Sequence, residues 1–221
     1  MNMPPIIMES FRLPLVPPEG MDELWSRGWR HFGDEFFRYS VMEHAGRWDI
    51  VVPLRVDLSR FVLSKSQRRV LRKNRDVSVS CGSAELTVES CDLFHRHKAR
   101  FTENVPDELE SFLGPRPGVI PCGCLELRCY LGDELVAVSF LDLGSRSVSS
   151  VYGMFEPAHA ARGLGIFTLL REMEWAVEAG MRYLYPGYAT LGPSHYDYKK
   201  QLRGLEGYDW TSGAWRAWDH P

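Results

Sequence analysis

The segment between residues 124 and 188 constrains the fold more than any other. Cys124–Leu131, Leu135–Leu143 and Ser149–Phe155 are short β-rich runs separated by tight turns at Gly132-Asp133 and Gly144–Ser147. This spacing predicts an antiparallel meander. A glycine turn follows, then a helix from about Gly165 to Ala179. Ile166, Leu169, Leu170, Met173, Ala176 and Val177 recur at i, i+3, i+4, i+7 spacing, so the helix buries one face against a sheet. Gly180 ends it. Arg182–Tyr188 returns as a strand, and its Pro186-Gly187 pair suits a bulge or a splayed end.

Three strands, a glycine turn, a helix and a returning strand form the core order of an acetyltransferase-like (GNAT) fold. The expected class is α/β (α+β) with an N-terminal α/β extension. Residues 1–105 are read as that N-terminal region and 106–221 as the acetyltransferase-like region, packed as one unit. Residues 1–20 are Pro-rich and read as irregular, and Met21–Phe32 reads as a helix. Phe36–Met42 and Trp48–Val56 read as strands. A capped helix runs from Ser64 or Ser66 through Asn74, one or two strands from Asp76 to Val88, and a helix from Asp92 to Thr102. Residues 103–121 hold turn signals and read as a mobile segment or a site entrance.

With 44% apolar and 25% charged residues the composition is that of an ordinary globular chain, and a net charge of −3 gives no bulk attraction to nucleic acid. Any such role requires a local basic patch. No run approaches the roughly 18 apolar residues of a membrane span, and the N-terminus lacks the pattern of a secretion signal. The expectation is a cytoplasmic monomer with no membrane association. The cysteine count is five, an odd number that argues against a disulfide framework. Cys122-Gly-Cys124 invites a metal reading, but no second pair has ligand spacing and no His lies close in sequence. The spacing therefore predicts no metal, and His95 and His97, two apart on a helix, read as surface histidines.

Two constellations can carry chemistry, and a third is open. Ala161-Arg162-Gly163-Leu164-Gly165 opens directly onto a helix, where free backbone N–H groups favour an anion. An RxxGxG loop of this kind holds a cofactor pyrophosphate in acetyltransferases. Here Ala160 stands at the expected basic position, and Arg162 is the substitute. The second is Ser64-Lys-Ser-Gln-Arg-Arg-Val-Leu-Arg-Lys-Asn-Arg75. It places Arg68, Arg72 and Arg75 on one helix face and Lys65, Arg69 and Lys73 on a neighbouring one. Phosphate binding needs such a convergent array, although a solvated basic face would look the same. The third, Tyr185–Tyr188 through His195-Tyr-Asp-Tyr-Lys-Lys200, brings aromatics, a His and lysines to the end of a strand. It reads equally as a site wall or as packing. Trp210, Trp215 and Trp218 read as packing.

Read together, these segments resemble the arginyl-tRNA–protein transferases and their bacterial relatives, the aspartate/glutamate leucyltransferases. The resemblance runs through Met21–Gly33, Pro53–Val56, Ser64–Asn74, Ser149–Pro157, Arg162–Gly165, Tyr183–Tyr188, Tyr198-Lys199 and Leu205-Glu206. It implies an enzyme of the EC 2.3.2 aminoacyltransferase class. Such an enzyme moves an amino acid, arginine or leucine, from charged tRNA to the α-amino group of a protein or peptide. Aminoacyl-tRNA would be a co-substrate, with no cofactor.

The resemblance implies tRNA contacts by Lys65, Gln67, Arg68, Arg69, Arg72, Lys73 and Asn74. It implies aminoacyl or acceptor contacts by Arg162, Gly163, Gly165, Tyr188, Tyr198 and Lys199. Tyr152 and Glu156 are carried over as catalytic candidates, with Glu156, Asp142 and His195 as alternatives for a general base. The family's N-terminal cysteine cluster is missing, since no cysteine precedes Cys81. No iron–sulfur cluster is expected, and donor and acceptor stay open. Two other readings are an acyl-CoA-dependent N-acetyltransferase and a non-catalytic tRNA- or peptide-binding module.

Overall fold

The computed structural model describes residues 5–44, 46–102, 105–194 and 197–218. Its centre is one twisted sheet. The meander forms as the spacing predicts: β7 (Cys124–Leu131), β8 (Glu134–Leu143) and β9 (Ser147–Phe155) pair antiparallel in sequence order. Helix α5 (Leu164–Glu178) crosses back, and β10 (Tyr183–Thr190) pairs parallel to β9. This parallel pair, joined by a crossover helix, gives the acetyltransferase-like α+β topology its central feature.

The N-terminal half is woven into the same sheet. Strand β5 (Arg47–Asp57) lies between β10 and β11 (Leu205–Asp209), and β6 (Val77–Ser83) forms the far edge beside β7. Strand β12 (Ala214–Ala217) closes the other edge, and β4 (Val41–His44) pairs with the start of β5. The sheet therefore crosses the boundary expected at residue 105. The N-terminal residues are not wholly irregular. Strand β1 (Met8–Arg12) joins β3 (Glu35–Tyr39) and β2 (Arg30–Phe32) in a small sheet of order β1-β3-β2. Helix α1 (Pro18–Ser26) starts earlier than expected, with Pro at its first turn, and ends before Gly28, whose φ is +81°. Arg30–Phe32 is therefore a strand and not the end of that helix.

Helix α2 (Lys65–Lys73) begins with a capping box: the Ser64 hydroxyl accepts from Gln67 N, and the Gln67 side chain accepts from Ser64 N. Helix α3 (Val88–Lys98) is likewise capped by Thr87 and Ser90. It packs on β8 and β9, which corrects the reading of both its histidines as surface groups. His97 is buried against Phe155 and Tyr152, while His95 is exposed. Residues 103–121 contribute the short helix α4 (Glu110–Leu113). The tail tryptophans pack as expected, with Trp210 Nε1 donating to Val51 O (2.7 Å) and Trp215 Nε1 to Ser26 O (2.8 Å). Among the described residues no helix is long and apolar enough to cross a membrane.

The largest core lies under α5, where Leu169, Leu170, Met173 and Ala176 meet Leu141, Val148 and Leu184. Leu170 is fully buried. Leu170→Ala should cost about 2–5 kcal/mol, the loss of transfer energy plus an unfilled cavity. Urea unfolding should show a lower midpoint at an unchanged m-value.

Candidate active site

The parallel pairing of β9 and β10 is short. Tyr183, Leu184 and Tyr185 meet Ser147, Val148 and Ser149, and beyond that register the strands part. The cause is local. Leu184 pairs with Val56 and Gly187 with Leu54, so Tyr185 and Pro186 together oppose Arg55 in a bulge. Pro186 has no N–H to give the ladder, and Gly187 takes φ +102°, a conformation that side chains rarely adopt. On β9, Val151 is an extra residue between the Ser150 and Tyr152 pairings with β8.

Arg30, from β2, fills the gap. Its guanidinium donates to the Ser149 hydroxyl, to Ser150 O (2.7 Å) and to Tyr185 O (3.4 Å), so it touches both diverging strands. Burial works against its charge, yet a guanidinium is too basic to lose its proton near neutrality. Lys199, on the short helical turn Asp197–Gln201, reaches the same place. A methyl group built on Gly187 would stand 3.3 Å from Lys199 Nζ and 3.7 Å from Arg30 Nη2. Glu172 of α5 rises from the helix side. Its carboxylate is fully buried near Lys199 and Arg30; the Ser139 and Ser150 hydroxyls lie within reach and lower its pKa, but among the described residues neither oxygen has a well-aligned hydrogen bond. A buried acid without aligned hydrogen bonds, set between cations, has the character of a functional group.

The electrostatics set this pair of groups near neutrality. Burial raises Glu172 to about 7, with the nearby hydroxyls and cations opposing the rise. Burial and Arg30 together lower Lys199 to about 7, with Glu172 opposing the fall. Tyr188 completes the wall. Its hydroxyl donates to Gly28 O (2.6 Å), its ring meets Phe37 and Tyr39, and burial raises its proton affinity.

The other expected residues divide by place. Lys65, Arg68, Arg69, Arg72 and Lys73 are exposed on α2, as is Arg75 just beyond it. None of these six is ion-paired with a carboxylate among the described residues. Lys65, Arg69 and Arg72 line a shallow open basin with Ser64 and Ser66. Gln67 and Asn74, expected to touch tRNA, are instead buried: Gln67 closes the capping box, and Asn74 Nδ2 donates to Val70 O and Arg162 O, both at 3.0 Å.

The glycine loop is also engaged differently from the sequence expectation. Arg162 grips Asp76 with two 2.9 Å contacts and donates to Lys73 O, and Lys73 Nζ donates to Ala161 O. Arg162 therefore staples α2 to the start of α5 and does not project toward a ligand. Gly163 adopts the left-handed geometry (φ +71°) that turns the chain into α5. Gly165 packs near Phe155, and Tyr198 packs against the main core.

The catalytic candidates do not converge. Tyr152 stacks on Phe112 (4.3 Å between centroids), on the α3 side. Glu156 caps the turn before α5 and pairs with Arg96 at 2.6 Å. Asp142 is buried with its Oδ2 2.7 Å from His31 Nε2. His195 lies outside the described residues. Of the expected site residues, Lys199 and Tyr188 reach the cleft, whereas Arg30 and Glu172 were not singled out from sequence. Glu172 left a readable signal, an acid four residues from Thr168 and Ala176 on the buried face of α5. Arg30 left only its place beside Gly28 and Trp29.

The family description "Arginine-tRNA-protein transferase, C terminus" matches residues 89–209. The chain is 32% identical over 192 residues to the aspartate/glutamate leucyltransferase of Stenotrophomonas maltophilia (strain R551-3), covering 83% of this chain and 75% of that protein. It is 31% identical over 211 residues to the aspartate/glutamate leucyltransferase of Xylella fastidiosa (strain 9a5c), covering 90% and 78%. The crystal structure of FemX shares the fold at a TM-score of 0.52 and 10% identity, covering 91% of this chain and 72% of that one.

The buried pair predicts a signature in stability. Between the ordinary carboxylate range and about pH 7 the native state holds a Glu172 proton that the unfolded chain has lost. The Glu172 contribution therefore falls as pH rises through that window. Lys199 acts oppositely above about 7, where the unfolded chain keeps a proton that the native state lacks. Glu172→Gln removes the first limb, so the unfolding free energy of the variant relative to the parent should grow from about pH 5 to about pH 7. Urea titrations across that range test this, and a constant difference would contradict it.

Proposed function

The chain belongs to the arginine-tRNA-protein transferase family and is an aminoacyl-tRNA-dependent transferase acting on protein N-termini; from that premise we propose that the cleft between β9 and β10 is where transfer occurs. The observation that carries this reading is the convergence of Arg30, Glu172 and Lys199 where the parallel strands part. In α/β sheets ligands sit where strands diverge at their carboxyl ends. The start of α5, the end of α2 and the open ends of β9 and β10 all lie at that end of the sheet. A tRNA acceptor arm held on α2 through Lys65, Arg68, Arg69 and Arg72 would deliver its aminoacyl ester into the cleft.

The chemistry needs little acceleration beyond placement, because an aminoacyl ester is already activated. Neutral Lys199 takes a proton from the acceptor ammonium. The freed amine forms the C–N bond at the ester carbonyl, and Arg30 faces the charge that develops on the carbonyl oxygen. The C–O bond to the ribose then breaks, and the proton leaving the new amide nitrogen goes to the ribose oxygen. The sum is one amide, one uncharged tRNA and one proton released. Glu172 opposes the fall in the Lys199 pKa that burial and Arg30 cause. No cofactor is required by this scheme, and charged tRNA is the co-substrate. The names of the relatives support leucine as donor and an N-terminal Asp or Glu as acceptor. The commitment of Arg162 to Asp76 argues against an acyl-CoA reading, since it leaves no free cation in the glycine loop for a pyrophosphate.

The test is incubation with leucyl- and arginyl-tRNA carrying labelled amino acid, and with peptides beginning in Asp, Glu or Ala. Label should pass from leucyl-tRNA to the Asp and Glu peptides, and no transfer from either tRNA would overturn the proposal. Lys199→Met should lower single-turnover transfer by about 10²–10⁴-fold, the span of general-base catalysis, while tRNA affinity holds. Transfer should rise with pH through about 7. In Glu172→Gln the rise should move to lower pH, because the carboxylate that favours the Lys199 ammonium is gone. Arg69→Ala/Arg72→Ala should weaken tRNA binding, reduce the slope of log K against log salt by about 2, and leave the Tm unchanged.

A further inference from the structure

One polar cluster lies outside this cleft and is not used by the chemistry. His31, Cys122 and Asp142 are each buried, and one ligand atom from each falls within 4.8 Å of the others. They come from distant places: β2, the residue before the turn into β7, and the end of β8. We propose that His31, Cys122 and Asp142 form a structural site for a divalent cation of zinc type.

Hydrogen-bond logic points to a cation. His31 Nδ1 lies 2.9 Å from Gly33 O, and a carbonyl only accepts, so Nδ1 carries the hydrogen. A ring carrying its hydrogen on Nδ1 alone turns the Nε2 lone pair toward Asp142 Oδ2, 2.7 Å away. In that state two acceptors face each other, neither atom has an aligned hydrogen bond among the described residues, and the Cys122 thiol lies against the same carboxylate. Both side chains are about 5% exposed, so water does not relieve them. A proton on Nε2 makes this contact an ion pair, whereas a bound zinc would spread the two atoms to about 3.3 Å, its tetrahedral ligand spacing. A metal-bound His commonly donates its other ring N–H to a backbone carbonyl, which fixes the tautomer and aims the ring.

The donor set favours zinc over harder ions. A thiol, an imidazole and a carboxylate are the three ligand types zinc accepts, whereas magnesium and calcium take oxygen alone. Cys124, whose thiol also lies beside Asp142, donates to Leu125 O (3.6 Å) and stands outside this group of three. The sequence expectation of no metal rested on the absence of a second spaced pair. The missing ligands were 91 residues before Cys122 and 20 after it, brought in by β2 and β8.

The place gives the ion a purpose. His31 follows Arg30 on β2, and Asp142 pairs with Ser149, which accepts from Arg30. A cation tying β2 to β8 would hold Arg30 in the cleft from behind. The ion would not touch substrate.

Metal content and cobalt spectra of the full chain test this independently of transfer. The chain purified in the presence of Zn²⁺ should retain one equivalent after dialysis. Replacement by Co²⁺ should give intense tetrahedral d–d bands and a thiolate-to-cobalt charge-transfer band. Cys122→Ser should abolish the charge-transfer band. Asp142→Asn, nearly isosteric and less disruptive to the core, should lower metal retention at least tenfold. Cys81→Ser/Cys91→Ser, away from the cluster, should retain metal like the parent. A chain that binds neither Zn²⁺ nor Co²⁺ would overturn the proposal. So would Co²⁺ bound without a thiolate band, or unchanged retention in both ligand variants.

Discussion

The early parting of two parallel strands governs the rest of this molecule. Continuous pairing of β9 and β10 would satisfy their backbone groups and leave no room for a substrate. The bulge at Tyr185-Pro186 and the left-handed Gly187 stop the ladder after Tyr185. That leaves buried carbonyls in need of donors, and a buried unpaired polar group costs about 1–3 kcal/mol. Arg30 supplies the donors to Ser150 and Tyr185. The small N-terminal sheet therefore has a definite role: it delivers one side chain that makes the gap tolerable and, at the same time, places a fixed positive charge in it.

That charge determines its surroundings. A lone buried guanidinium is costly, and partial compensation comes from Tyr188, Asp142, Tyr39 and, last, Glu172. Lys199 then enters a space that already contains a cation. Its ammonium is disfavoured by burial and by Arg30, and only the carboxylate beneath holds the proton affinity near neutrality. Two groups that would titrate far apart in water are thus brought to the same pH. The polarity of the cleft follows from filling the gap with Arg30.

Much of this was legible locally and little of it non-locally. The meander, the amphipathic face of α5, the Gly180 stop and the Ser64 cap are written in residues a few positions apart, and periodicity finds them. The insertion of β5 between β10 and β11 depends on pairings well over a hundred residues apart in sequence, which no window contains. The same holds for the cleft: Arg30, Glu172 and Lys199 come from three distant elements. Where chemistry was assigned from a motif, the motif sometimes served the scaffold. Gln67 and Asn74 stand in the most distinctive basic stretch, yet a capping box and two carbonyls occupy their side chains. His97 was misread because spacing on a helix gives no information about which neighbour covers it.

The glycine loop illustrates how one motif can exchange tasks. In an acetyl-CoA enzyme such a loop must leave its N–H groups and a basic side chain free for a pyrophosphate. Here Arg162 is held by Asp76, Lys73 Nζ caps the Ala161 carbonyl and Asn74 caps that of Arg162. These contacts all join the end of α2 to the start of α5. A small cofactor would carry its own phosphates to the reacting carbon at a fixed length. A tRNA bound as proposed does not, because its charged backbone would lie on α2 while its aminoacyl ester entered the cleft. The distance between those parts must then be set by the protein. Locking α2 to α5 sets it: the exposed cations of α2 and the buried Glu172 of α5 are carried on two helices tied together by these contacts. The glycine loop thus links the basic helix α2 to the helix that carries Glu172 into the proposed cleft.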